Sequence, residues 1–438
     1  MTLHVGFAEV DITPPVGIRL VGYYHRSAAS QGVLDRLRAV ALVMEQEGRR
    51  VTLVGLDHCG MLVPDVNRIR QTVAAELEVP ISQVAILFTH THAGPDDLDE
   101  SLGETYREIL RSKLRLAVRM AAERVRPCRV AWGMTRGRIG INRRVLGPDG
   151  RASMGENPNG PVDDRIGVLL FLDAHTNQRL GLMVTCTAHA NVLKNDNLLI
   201  SGDYPGRVRR LLQEVLGCPV LVRAGSAGNV NPLYRGGEDA LEHMALAVSG
   251  PVLSLLPELK PVEHAPLWVD SETLPLLLQE LPDPPQAEKL AERVSREWDV
   301  DTRPWLERVR TFLAQGRQAL QVDLEVHLLR LGAFVLAGVP MEPFAELAIT
   351  IQERLGRLPS QQEAKPPNPL AFFSGYTNGW LGYLPSREEI PRGGFEIERV
   401  PATYGLDSGM IMAPRPEAVD HVLETVVTLY QRSVEEAG

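Results

Sequence analysis

The sequence predicts an α/β protein built on mixed sheets, and three observations carry that expectation. Short apolar runs such as Val84–Phe88 alternate with segments of helical periodicity through the first half of the chain. Several strand-like runs come as antiparallel pairs, at 38–57, 166–189 and 322–340, which a regular series of βαβ units would not contain. With 44% hydrophobic and 23% charged residues over 438 positions, the chain can bury a sizeable core.

The elements follow in order. Residues 38–57 read as two strands joined by a polar turn. Val66, Ile69, Val73 and Leu77 then recur at helical spacing over 64–77. Val84–Phe88 reads as a buried strand and 102–125 as a longer helix. The hairpin 166–189 has a second strand that runs into His189. Pro205 sits near the start of the next helix and Gly217 just past its end, with Val208, Leu211, Leu212 and Val215 on one face. A strand at 219–223 opens into the loop 224–232, Ala-Gly-Ser-Ala-Gly-Asn-Val-Asn-Pro. Between about 275 and 320 the composition shifts to a proline-rich break and two charged helical stretches, read as a helical insertion within one domain spanning 1–438. A hairpin at 322–340 bends at Leu331-Gly332. A helix at 343–356, a long ordered loop at 360–405 and a final helix at 416–435 close the chain. No internal repeat interrupts this order.

Charge and composition exclude some functions. The net charge is −9, from 46 basic and 55 acidic residues, which argues against a broad nucleic-acid surface. The basic run Arg207-Val208-Arg209-Arg210 reads as the solvated face of a helix. The cysteines Cys59, Cys128, Cys186 and Cys218 are scattered, without CxxC spacing, as suits a reducing compartment. The N-terminus lacks a secretory pattern, and no apolar run approaches the roughly 20 residues of a membrane span. A cytoplasmic protein without a transmembrane segment is the expectation.

Chemistry concentrates where apolar strands end. His90 and His92 follow Val84–Phe88 directly, and residues two apart on an extended backbone point to the same side. Paired imidazoles fit a metal site, and equally a hydrogen-bonded loop pair. His189 ends a second apolar strand, which supplies what a metal centre with three or four ligands needs. Glu342 follows a third apolar strand and a proline, where a buried carboxylate requires a partner or a cation. Glu346, one turn on, reads as a surface residue. The loop 224–232 lacks the GxxxxGK[ST] pattern of a phosphate cradle and reads as a tight turn. Asp57 fits either support of the metal site or a helix cap, and Asp203 either orientation of His189 or a cap. Asp96 and Asp97 read as solvated, and Cys59 and Cys186 as buried thiols.

The motifs Gly-Phe-Ala-Glu-Val-Asp-Ile-Thr-Pro-Pro, Gly-Tyr-Tyr-His-Arg, Thr-His-Thr-His-Ala-Gly-Pro, Ile-Asn-Arg-Arg, Thr-Ala-His-Ala-Asn, Gly-Asn-Val-Asn-Pro, Pro-Met-Glu-Pro and Asn-Gly-Trp-Leu-Gly-Tyr occur in this order. From about residue 4 to 405 the sequence resembles the catalytic domain of the neutral, non-lysosomal ceramidases. That resemblance implies one zinc per chain, held by His90, His189, Glu342 and Tyr383. It makes His92 a substrate-facing histidine and Arg143 an arginine lining the site, with Tyr383 and His92 as candidates for the general acid. It further implies a ceramidase-like amidase that cleaves a small or lipid-like N-acyl substrate with a metal-activated water. The sequence departs from the family in three respects. Asn231 replaces a serine of the family's Gly-Asp-x-Ser-Pro loop, and Phe395 stands where a tyrosine is expected. The chain is also expected to lack the family's secretion signal and C-terminal β-sandwich. These differences favour the reaction class over ceramide itself. An esterase or lactonase on the same site, and a ligand-binding homologue without catalysis, are the alternatives. An HxH amidohydrolase on a regular eightfold barrel is disfavoured by the hairpins.

Overall fold

In the computed structural model, which describes residues 2–99, 101–262, 264–358 and 368–436, two sheets pack face to face and helices cover both outer faces. The first sheet has eight strands in the order Val220–Ala224, Arg179–Cys186, Arg165–Asp173, Arg126–Arg136, Leu3–Asp11, Arg38–Gln46, Arg49–Leu56 and Val84–Phe88. Its interior pairings are antiparallel, while both outermost pairs are parallel, so the sheet is mixed as expected. The second sheet has four strands in the order Leu267–Leu277, Gln321–Leu331, Phe334–Gly338 and Leu370–Ser374.

Alternation along the strands explains the layering. Met183, Leu221, Leu169 and Phe171 point inward with Leu329, Leu336 and Phe372 of the second sheet, forming the core between the sheets. Residues of opposite parity, such as Val54, Ile86 and Val184, point outward under the helices Val63–Leu77, Gly103–Glu123, Asp203–Leu216 and Gly237–Leu255. The second sheet's outer face is covered by Ala345–Gly356 and Pro416–Glu435, with Pro284–Trp298 and Arg303–Ala314 from the segment read as an insertion. Asp283 caps the first of these, its side chain accepting from the Gln286 N–H at 2.9 Å, so the proline-rich break starts a helix.

Several expectations are corrected. Asp203–Leu216 buries Tyr204, Val208, Leu212 and Leu216, whereas Val215 is 60% exposed. In the same helix Arg207 and Arg209 are buried against Asp35 and Asp57, and only Arg210 of the basic run faces solvent. Leu370–Ser374, inside the stretch read as a loop, is an integral strand parallel to Phe334–Gly338, and short helical turns follow it from 390 to 408. Residues 359–367, which include the beginning of that stretch, lie outside the described residues. One helix among the described residues, Gly237–Glu258, is long and apolar enough to cross a membrane. Its Leu241, Met244, Val248 and Val252 are buried against the first sheet.

Candidate metal centre

Three strand ends and one cross-sheet segment converge on a single point. Val84–Phe88 delivers His90 and His92, and Arg179–Cys186 delivers His189 three residues past its end. Phe334–Gly338 leads through Pro340 to Glu342. The pair His90 and His92 does not lie on extended backbone. His90 has φ +62°, a left-handed conformation that costs a non-glycine residue about 1–3 kcal/mol. The turn swings His90 inward, where its amide donates to the His58 carbonyl at 2.9 Å, and His92 Nε2 still comes within 3.2 Å of His90 Nε2.

The tautomers follow from what the imidazoles touch. His90 Nδ1 lies 2.6 Å from the Cys59 carbonyl oxygen, and His189 Nδ1 lies 2.7 Å from the Ala227 carbonyl oxygen. A carbonyl only accepts, so each Nδ1 carries the proton and each Nε2 presents a lone pair. Those two nitrogens lie 3.3 Å and 3.2 Å from Glu342 Oε2. Two lone pairs and a carboxylate thus face one another at low exposure, a donor set that a divalent cation satisfies. Burial opposes ionisation of Glu342; a proton on His90, which Cys59 and Glu342 favour against burial, stands in for the cation and holds the carboxyl well below its usual range. Burial, with the Arg143 guanidinium, pushes His189 down to about 4 and keeps it neutral.

Glu342 is fixed from the other side. Trp380 Nε1 donates to Oε1 at 2.8 Å and the Tyr376 hydroxyl to Oε2 at 3.2 Å, while the Tyr376 ring stacks on His90 at 4.1 Å. Tyr383 is the register partner of Glu342 in a short parallel bridge, and its hydroxyl accepts from Arg143 Nη2 at 3.0 Å. Arg143 also pairs with Glu396 at 2.9 Å and approaches His189 Nε2 at 3.4 Å. Asn231 lines the same cavity with an unpartnered buried Oδ1. All the residues singled out as ligands or catalytic groups therefore come together.

The cavity above them measures about 500 Å³, and its wall is largely apolar, with Tyr23, Met61, Leu62, Trp380, Phe395 and Tyr404. Gly22, at φ +107°, lies so close to the His92 ring that an added Cβ would stand 2.5 Å from it. Arg26 donates to the carbonyls of Val21 and His92 and so fixes the loop that carries His92.

Other expectations are revised by the structure. Asp57 neither supports the metal site nor caps a helix: it is fully buried and pairs with Arg209 at 2.7 Å. Asp203 does not touch the His189 ring; its carboxylate accepts from the N–H groups of Val192, Leu193 and Tyr204 and orders the turn that follows His189. Asp97 is buried, 4.0 Å from His58, and burial raises its carboxyl to about 7. Glu346 is half-buried and accepts from Asn229 Nδ2 at 2.8 Å. Cys59 and Cys186 are buried thiols as read, although Cys59 Sγ also lies 3.5 Å from His90 Nδ1. Tyr376, Glu396 and the Cys59 carbonyl escape the sequence reading. Their partners lie tens to hundreds of positions away, and only the glycine- and aromatic-rich composition of 368–405 hints that this stretch matters.

The profile of the family "Neutral/alkaline non-lysosomal ceramidase, N-terminal" matches residues 3–216. Over those residues, just under half of its length, the chain is similar to that family. Proteins named neutral ceramidase from Drosophila pseudoobscura pseudoobscura and Drosophila melanogaster are each 29% identical, over 236 and 233 residues. These alignments cover 49% of this chain and 32% of each relative, so the chain spans about a third of the length of the curated relatives it matches. Neutral ceramidase from Pseudomonas aeruginosa superposes with a TM-score of 0.71 at 18% identity, over 98% of this chain and 74% of that one. A ceramidase complexed with C2 gives 0.73 at 18% identity, over 99% and 76%. At that identity the likeness establishes the fold, which is the mixed-sheet α/β architecture of these enzymes.

Proposed function

We propose that the chain is a zinc-dependent hydrolase that cleaves the amide bond of an N-acyl compound. The observation that carries this reading is the convergence of His90 Nε2, His189 Nε2 and Glu342 Oε2 at the base of an apolar cavity. The family match over residues 3–216 and the names of the relatives support the same reaction class. His90, His189, Glu342 and Tyr383 would hold the ion. Zinc bound by such ligands lowers the pKa of water towards about 7 and polarises a carbonyl.

The chain's own residues supply the rest. The aromatic wall takes up the acyl chain and excludes water from it. His92, buried beside His90, reaches the cavity and is placed to hydrogen-bond the oxygen of the scissile carbonyl, an interaction worth roughly 3–4 kcal/mol when its geometry matches the transition state. The His92 imidazole is held well below its usual pKa by burial and by the neighbouring imidazoles of His90 and His189. Arg143, fixed by Glu396, holds the Tyr383 hydroxyl in place. Burial raises that phenol well above its ordinary range even against the arginine, and Tyr383 and His92 are the candidates to protonate the leaving nitrogen. Asn231 replaces a hydroxyl with an amide that both donates and accepts.

A panel of N-acyl amides and matched esters, assayed with and without a chelator, tests the proposal. Turnover of amides that a chelator abolishes and zinc restores is the expected result. Turnover confined to esters moves the reading to an esterase, and no turnover of either class after zinc addition leaves a binding protein.

A further inference from the structure

Buried arginines are numerous in this fold, and most have an acid to answer them. Arg70 pairs with Glu325, Arg143 and Arg144 with Glu396, Arg165 with Asp163, Arg207 with Asp35 and Arg209 with Asp57. Arg223, in Val220–Ala224, differs. It is 2% exposed, its Nε has no hydrogen-bond partner, and no carboxylate among the described residues forms an ion pair with it. A guanidinium does not shed its charge at neutral pH. Burial lowers Arg223 to about 9, which leaves it a cation. An unpaired charge in a protein interior is costly.

Its surroundings show what is missing. Arg223 lies two residues after Leu221, so it shares that residue's inward face between the sheets. Thr185 is its register partner on the adjoining parallel strand, and Thr185 Oγ1 is likewise buried without a partner. Met183, Leu336 and Phe372 belong to the same inter-sheet core. His327 of the second sheet is close enough to feel the Arg223 charge, but its Nε2 is engaged with the Ser82 carbonyl at 3.2 Å. A buried cation and a neighbouring hydroxyl, both unsatisfied and both facing an apolar interior, form an arrangement that lacks one acceptor of single negative charge.

We propose that Arg223 and Thr185 bind a small monovalent anion of halide type between the two sheets. The anion would accept from the guanidinium and the hydroxyl, completing the hydrogen bonds that the protein leaves open. It would also fasten two strands directly beneath the metal centre. Arg179–Cys186 runs on to His189, and Val220–Ala224 runs into the loop whose Ala227 carbonyl anchors the His189 ring. The anion is thus a structural ligand of the frame and takes no part in the reaction.

The test is the thermal midpoint of the full chain in sodium chloride, sodium bromide and sodium gluconate at equal ionic strength, joined to bromide anomalous scattering from crystals. The midpoint is expected to rise and saturate with either halide relative to gluconate, because a ligand of the folded state alone stabilises by mass action. Arg223→Met, of similar length and without charge, is expected to lose that dependence, and Thr185→Val to weaken it. A bromide peak in contact with the Arg223 guanidinium would establish the site even if Arg223→Met does not fold. Equal midpoints in halide and gluconate would overturn the proposal. So would halide dependence that survives in Arg223→Met, or crystals with no bromide at Arg223.

Discussion

The candidate metal centre has two walls that are built differently. On the first sheet, His90 and His189 are held by main-chain carbonyls, Cys59 and Ala227, so strand geometry alone sets their tautomers. On the second, Glu342 is held by side chains, Trp380 and Tyr376, which reach it from the segment after Leu370–Ser374. A seam joins the walls. The Phe88 N–H donates to the Tyr376 carbonyl at 2.9 Å, the Asn378 N–H donates to the Ile86 carbonyl at 2.8 Å, and Asn378 Oδ1 accepts from the Ile86 N–H at 2.9 Å. Both Tyr376 and Asn378 adopt left-handed backbone to make those bonds. The histidine wall is thus held from the first sheet and the carboxylate wall by side chains from the second, with the seam joining the two.

That contrast can be broken from either side. The largest effect is expected for His189→Ala, which removes a lone pair from the first wall. Metal content and amide turnover should both fall to background, and full metal occupancy in this variant would remove His189 from the ligand set. His92→Ala should leave metal content unchanged and lower kcat by about 10²–10³-fold, as for loss of one well-placed donor. Loss of metal in that variant would exchange the roles of the two histidines. Trp380→Phe removes a hydrogen bond to Glu342 but keeps the aromatic wall, so metal affinity should drop about 10–100-fold. Unchanged affinity in a competition titration would mean that the second wall does not depend on its side-chain props.

A smaller effect concerns the rim. Asp99 is opposed by burial, yet hydrogen bonds from Ser101 and from the Arg19 N–H, with the Arg19 guanidinium 3.4 Å away, lower its carboxyl to about 2 from an ordinary 3.8. A folded-state pKa below the unfolded value gives stability that is complete above about pH 4 and lost as pH falls towards 2. Asp99→Asn should cost about 1 kcal/mol at neutral pH, since solvent screens the ion pair and the hydrogen bonds carry the effect. The acid limb of a plot of midpoint against pH should flatten over the same window. An unchanged acid limb would show that the two rim loops are held together by other contacts.

The same division explains what is legible in the sequence. His90, His189 and Glu342 can be read because each follows an apolar run, and such a run announces a strand and its end. The hairpins at 38–57, 166–189 and 322–340 are legible for the same reason, and the helices at 64–77 and 416–435 by their period. Asp57 reads locally as metal support or a cap, and Asp97, Arg207 and Arg209 as solvated groups, and those readings fail. Nothing local to Asp57 foretells an arginine 152 positions away, and a charge is assigned to the surface unless its partner is known. Val215 reads as an inward residue because helical periodicity tolerates a shift of one position when Leu211, Leu212, Val215 and Leu216 are all apolar. Leu370–Ser374 and Tyr376 are hidden within a glycine- and proline-rich context whose order comes from the other sheet's edge.

Elemental analysis of the purified chain beside its Glu342→Gln variant tests most directly whether the two walls share one metal. A single zinc is predicted in the wild type, removed by a chelator and restored by added zinc, and none in the variant with His90 and His189 intact. A wild-type chain that takes up no metal even when zinc is supplied, or a variant that holds it as firmly, would contradict that.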